Sequence, residues 1–309
     1  MDEPIIDRPA AVRPANFSAH AGTVVTMFAW GTLIPAAKIV LEEFDAWTLS
    51  TLRVVVAAGV LLAISAGVDG VAWLRTIPWR RAVALGGGIS GFSLLYTVGI
   101  ALSNPVSAII VSGASPAVAA IYAALAFRQP LPRGAFCAFG LSTAGAIIAA
   151  LGDVSASAPA GVRGGEWLLV LASISWTWYS LKAQQWLGSW GQHRITAVSY
   201  LGASAVLVPI YLMLVGAGIA APPGAVPSAP AITLLVWIIG AVTLLGGVLW
   251  NYGVSRIGIM VTSLYLNLIP VFGIATAAVF GSYPTGQQLL GCALVVAGVS
   301  LLRRPKPAA

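Results

Sequence analysis

Charge is what this chain has least of. Only 8% of its 309 residues are Asp, Glu, Lys or Arg, against 59% that are hydrophobic. Three stretches, 82–127, 195–255 and 257–302, carry no charged side chain at all. Gly, Pro and polar clusters divide each into two apolar segments of about 20 residues, the length that crosses ~30 Å of hydrocarbon at ~1.5 Å per helical residue. No soluble domain needs six such runs. The alternating ten-residue pattern of a transmembrane β-barrel is also missing, which leaves an all-α membrane protein. Cysteine is nearly absent. Cys137 and Cys292 both sit in apolar segments and read as unpaired thiols, not a disulfide framework.

The nine carboxylates (Asp2, Glu3, Asp7, Glu42, Glu43, Asp45, Asp69, Asp153 and Glu166) all fall in tails, loops or segment ends. The two histidines, His20 and His193, also stand at segment ends. Exchange of a cation for a proton needs an acid or imidazole inside the membrane, so the pattern argues against that mechanism. Movement down a gradient, or exchange, is expected instead. No His/Cys/Asp/Glu cluster has metal spacing, no nucleophile has a neighbouring base, and no Gly-Lys-Thr phosphate loop occurs. Neither an enzyme nor a metal or cofactor is therefore expected. The net charge of +7 comes from basic residues scattered between apolar segments, which excludes a nucleic-acid partner.

What is present organises into ten spans near 20–41, 45–66, 80–102, 105–127, 132–151, 165–187, 194–217, 231–254, 258–281 and 285–302. The polar, Pro-rich segment 1–19 reads as a disordered cytoplasmic tail with no signal-peptide core, and 303–309 as a basic tail. Arg8, Arg13, Arg75, Arg80, Arg81, Arg128, Arg133, Arg194, Arg256, Arg303, Arg304 and Lys306 fall in the tails and even-numbered loops; Arg163 alone falls in an odd-numbered one. That asymmetry places both termini in the cytoplasm of a multi-pass inner (plasma) membrane protein.

The chain also repeats. At one constant offset Gly86 falls on Gly240, Gly99 on Gly253, Pro116 on Pro270 and Pro130 on Pro284. One residue of slippage later, Ala144-Gly145 falls on Ala297-Gly298. The repeats are 20–151 and 165–302. Each holds five spans, an odd number, so the second copy lies inverted, as in alternating-access transporters with a substrate site between the halves. The competing readings are a membrane scaffold that transports nothing and a lipid-modifying enzyme.

This organisation resembles the EamA-type branch of the drug/metabolite transporter superfamily. The resemblance is carried by Trp30-Gly31, Arg53 and Pro116 in the first half. In the second it is carried by Ser175-Trp176 with Tyr179, the Asn267–Val271 stretch and Ala297-Gly298-Val299. Where the family usually has a Glu after spans 4 and 9, this chain has Arg128-Gln129 and Ser282-Tyr283. The resemblance implies export or exchange of amino acids, amines and related small metabolites.

Polar residues recur at helical spacing: Thr23, Thr26 and Trp30; Ser90, Ser93 and Thr97; Ser173, Trp176 and Ser180; Thr243, Gly247 and Trp250 beside Asn251; Ser263, Asn267 and Pro270. In lipid such stripes turn inward, to bond a neighbouring helix or to line a cavity. Trp30, Trp176, Tyr179, Trp250, Asn251, Tyr265 and Asn267 are the expected cage for a small substrate. Arg53 lies about two turns inside its span, where burying the charge costs up to ~3 kcal/mol. Two readings of it stand: an ion pair with Glu42, Glu43 or Asp45, or attraction of a substrate carboxylate. Lys38 and Lys182 can snorkel to the surface. Gly87 and Gly91 form a small-xxx-small pair for close helix packing. Pro35, Pro116 and Pro270 are expected to interrupt helices and act as hinges.

Overall fold

The computed structural model describes residues 17–103, 111–112, 114–129, 134–151, 164–221, 226–279 and 284–301. Most of both predicted tails lies outside them, as do Asp153, Arg133, Arg163, Pro130 and Ser282-Tyr283, and the side chains of Lys38 and Thr97. Among the described residues the secondary structure is entirely helical. In the first half it comprises α1 (Phe17–Val40), α2 (Ala46–Asp69), a 3-10 turn (Ala72–Thr76), α3 (Trp79–Leu102), α4 (Ser115–Phe127) and α5 (Ala135–Leu151). The second half has α6 (Gly165–Leu187), α7 (Gln192–Gly216), α8 (Ala229–Trp237), a π-helical stretch (Ile238–Leu245), α9 (Gly246–Leu264), a 3-10 turn (Tyr265–Asn267), α10 (Leu268–Val279) and α11 (Gly286–Leu301).

Among the described residues four runs are long and apolar enough to cross a bilayer: Phe17–Ala37, Ala46–Asp69, Gln192–Gly216 and Ala229–Thr276. The last is twice the needed length, and a break explains it. Gly258 is non-helical (φ 80°, ψ 159°), a conformation open to glycine. In an unbroken helix Gly253 and Thr262 would stand ~13 Å apart at ~1.5 Å per residue. A Cβ on Gly253 would instead lie 3.2 Å from Thr262 Cγ2. The chain therefore turns back on itself at Gly258. Outward faces carry Val55, Val56, Val60, Ile64, Leu212, Met213, Leu289 and Leu290, all exposed, the apolar coat that lipid covers.

The halves interlock. α5 packs on α11, α2 on α7, α3 on α6 and α7, and α1 on α9 and α10. Exchanging the two halves maps this pattern onto itself: α3·α6 becomes α9·α1, and α3·α7 becomes the π stretch against α2. Close approach rests on glycine at a few points. A Cβ on Gly86 would lie 2.0 Å from the Gly202 carbonyl carbon, and one on Gly145 2.6 Å from the Gly291 oxygen. The predicted Gly87–Gly91 pair is corrected here. Gly91 meets the Ser175 hydroxyl, but Gly87 faces open space, and Gly86 and Gly88 make the contacts instead.

The expectation that all three prolines interrupt helices is corrected for two of them. Pro35 does sit inside α1. Pro116 occupies the first turn of α4, where the missing N–H breaks no helical bond. Pro270 likewise lies in the opening turn of α10, just after the 3-10 turn. Other interruptions within described helices are Pro209 in α7, the π stretch and Gly258. Both cysteines are free.

Candidate functional site

Three indoles meet where the halves join. Trp30 of α1, Trp176 of α6 and Trp250 of α9 have ring centroids 5.3 to 5.7 Å apart in every pairing. Edge-to-face and tilted contacts at this distance suit the ring quadrupoles. Tyr179 and Phe92 pack at a tilt against Trp176 at 5.3 and 5.2 Å, and Tyr96 stacks on Phe92 at 5.4 Å. Helical periodicity produces the arrangement. Phe92 and Tyr96 are four apart on α3, and Trp176 and Tyr179 three apart on α6, so each pair shares a face.

The cluster is graded from closed to open. Trp250 and Asn251 are fully buried and Tyr179 is 1% exposed. Their side-chain N–H donors are bonded within the protein: Trp250 Nε1 donates to Ser180 Oγ (2.9 Å), and Asn251 Nδ2 to Tyr179 Oη (2.9 Å) and Thr196 Oγ1 (3.0 Å), while the buried Asn251 Oδ1 has no partner among the described residues. Gln184 Nε2 also donates to the Asn251 main-chain carbonyl. This side faces the end of the bundle that holds Arg81, Arg194 and Arg256. Trp30, Trp176, Phe92 and Tyr96 are half-buried, although Trp30 and Trp176 are surrounded by the other rings. They form the less enclosed side of the cluster, away from the basic end.

Of the predicted cage, the fold brings together Trp30, Trp176, Tyr179, Trp250 and Asn251. Tyr265 and Asn267 are turned to other partners. The Tyr265 hydroxyl is 2.8 Å from His20 Nδ1, and Asn267 Nδ2 donates to Ser142 Oγ (2.8 Å). The polar stripes mostly serve helix contact: Ser173 bonds Ser115, Ser175 bonds the Gly88 carbonyl, and Ser90 reaches the Ala203 carbonyl. Lys182 bonds Gln185 and lies over Phe127 and Trp186. The ion pair offered for Arg53 is not formed. Glu43 bonds Ser228, Asp45 bonds Thr48 and the Ala221 amide, and Glu42 is exposed. Among the described residues the ion pairs are those of Asp69 with His193 and Arg194.

Sequence reasoning missed Phe92, Tyr96 and Tyr200. The first two carry no polar stripe to mark them, although their spacing of four was visible. Tyr200 donates its hydroxyl to the Thr243 carbonyl at 2.8 Å, inside the π stretch. Among the described residues no group of three or more His, Cys, Asp or Glu lies together as a metal ion requires.

Both halves match one family. Residues 18–151 and 163–304 each match the EamA-like transporter family. The chain is 25% identical to the uncharacterized transporter YyaM of Bacillus subtilis, covering 89% of this chain and 92% of that one. It is 26% identical to a probable terminal-alkyne amino-acid exporter of Streptantibioticus cattleyicolor, covering 91% and 92%. A solved crystal structure shares the fold at 20% identity with a TM-score of 0.78, over 93% of this chain and 96% of that one. With helices spanning the membrane and the family matched twice along its length, the chain belongs to the EamA-like transporter family, and with it to the drug/metabolite transporter superfamily.

Proposed function

We propose that this protein carries a small amino-acid-like or amine metabolite across the inner membrane by alternating access, as an exporter or facilitator. The halves form ten spans in two inverted repeats with both termini cytoplasmic, and the substrate sits between them against Trp30, Trp176, Phe92 and Tyr96. The observation that carries this reading is the graded indole cluster, sealed by Trp250, Asn251 and Tyr179 on one side and half-open on the other. A site at the junction of two halves, closed at one end, is what rocking of the halves requires. The helix packing, unchanged in pattern when the halves are exchanged, supports the inverted repeat. The relative described as an amino-acid exporter supports the metabolite class. Arg53 and the buried Asn251 would orient the substrate, while Tyr265 and Asn267 stand behind the cage. Neither a scaffold nor a lipid-modifying enzyme fits membership of a transporter family.

The test is counterflow in proteoliposomes over a panel of amino acids and amines. Trp176→Ala is expected to cut the flux at least ~10-fold at equal protein incorporation. Unchanged flux in that variant would overturn the site.

A further inference from the structure

Arg53 is the one described cation held inside the bundle, and its surroundings can be traced residue by residue. It lies on α2 between Leu49 and Ala57, one turn away in each direction, and both are buried. Leu49 packs with Ile238 at the start of the π stretch, and Ala57 packs in the same cluster as Tyr179 and Tyr200. The stripe through Arg53 therefore faces α7 and the π stretch. The Tyr200 hydroxyl donates to the Thr243 carbonyl, and the neighbouring Val242 carbonyl receives Trp30 Nε1 at 2.9 Å. Arg53 thus lies on the face of α2 that packs toward the π stretch, to which Trp30 and Tyr200 are bonded.

Among the described residues no ion pair neutralises the guanidinium. A tyrosine whose proton is spent on a carbonyl is no counter-ion. The described carboxylates are engaged elsewhere or exposed, as set out above. Asp69 is held at the basic end by His193 Nε2 at 2.7 Å and Arg194 Nε at 2.5 Å. Glu166 Oε2 accepts from the Gly164 amide. A guanidinium remains protonated even where water is scarce, and its planar fork matches a carboxylate with two parallel bonds. The other described cations, Arg75, Arg80, Arg81, Arg128, Arg194, Arg256 and Lys182, stand at helix ends or loops or on surface partners.

We propose that Arg53 anchors a carboxylate of the transported molecule. The substrate class is then a monocarboxylate with a flat or apolar body, such as an amino acid, and not an amine. One fixed cation matches one negative charge, and the aromatic walls take the uncharged remainder. This deepens the transport reading above and rests on it.

Three probes separate the possibilities: L-phenylalanine, 3-phenylpropionate, which lacks the amine, and phenethylamine, which lacks the acid. Their effects on the melting temperature of the purified full chain report binding, since a ligand of the folded state alone raises it. Flux in proteoliposomes reports transport separately. Both acids are expected to raise the melting temperature and the amine to leave it unchanged. Arg53→Gln should weaken the acids at least ~10-fold, and Arg53→Lys less, because an ammonium keeps the charge but not the fork. Wild-type discrimination needs no variant, so a misfolded R53Q does not spare the proposal. If the amine binds or is carried as well as the acids, or if neither acid binds, the carboxylate anchor is overturned. Acid binding without flux of any probe would uphold the anchor and count against transport.

Discussion

The indole N–H of Trp30 donates to the main-chain carbonyl of Val242, 2.9 Å away across the junction between the halves. Tyr200 donates to the next carbonyl, Thr243. Both acceptors lie in the π-helical stretch Ile238–Leu245, where the wider turn disturbs the usual ladder and side chains can supply donors. Two glycines admit these donors. A Cβ on Gly246 would lie 2.7 Å from Trp30 Nε1, and one on Gly247 2.2 Å from the Tyr200 hydroxyl.

Gly247→Ala should therefore displace Tyr200 from Thr243, at a cost of about 1–3 kcal/mol for overpacking. Gly240, in the same stretch, has open space where its Cβ would be, so Gly240→Ala should change stability by less than ~0.5 kcal/mol. Thermal melts of the two variants in one detergent make the comparison. Equal melting temperatures would show that the Tyr200 contact does not hold the stretch in place.

The seal toward the basic end depends on Asn251, whose amide nitrogen serves Tyr179 and Thr196 at once. Asn251→Ala removes both bonds and leaves two buried hydroxyls with one partner fewer, a loss of about 1–3 kcal/mol. Tyr179→Phe removes one bond and should cost about 0.5–1.5 kcal/mol. If this network closes the site, a cysteine at Ser180 should react faster with a membrane-impermeant thiol reagent from the basic side in the Asn251→Ala background. Cys137 and Cys292 are first replaced by Ser. An unchanged labelling rate would remove Asn251 from the closure.

How much of this was legible beforehand differs from feature to feature. The spans stood out because charge is so costly in lipid that its absence marks them directly. Trp30, Trp176 and Trp250 were recognisable as large rings with polar handles away from the helix ends. Asn267 was placed with them by counting fours from Ser263 along an unbroken helix, and Tyr265 as a further ring in the same span. The 3-10 turn at Tyr265–Asn267 changes that phase, because its residues step by ~120° and not ~100°. The π stretch left only the Gly246–Gly247 pair as a sign, and glycine pairs are common in membrane helices. Arg53 gave two readings because sequence places Asp45 within reach, yet Asp45 caps α2 and its oxygens serve Trp47 and Thr48.

At the opposite end, the loop after α1 is tied to the loop before α8 by Glu43. The Ser228 hydroxyl, and after it the Ser228 amide, hold the Glu43 carboxyl below the ordinary carboxylate range. A group whose pKa is lowered by folding adds stability above its unfolded value, about 4.3, and that stability is lost as pH falls through the folded value. The tie should be fully present at neutral pH and released only below about pH 4. Hydrogen exchange at Ser228–Ala231 should then rise on acidification in the wild type, beyond the intrinsic pH trend. In Ser228→Ala it should be high throughout. A tie that loosens as pH rises would contradict the assignment.

The remaining question is what drives net movement. His20 and His193 are engaged near the basic end, with Tyr265 and with Asp69. The described carboxylates stand at helix ends or in loops. Of these, Glu166 in the first turn of α6 is buried while Glu42 and Glu43 are exposed. Its Oε2 accepts from the Gly164 amide. A proton carrier must change its charge in each cycle and face the substrate. Glu166 is three turns from Trp176 along one helix, ~15 Å at ~1.5 Å per residue, too far to trade a proton directly with a molecule held there. Flux in liposomes should therefore equalise the substrate across the membrane and not respond to an imposed pH gradient. Glu166→Gln should leave this behaviour unchanged. Uphill accumulation driven by protons would show that the coupling has been misread, and its loss in Glu166→Gln would locate it.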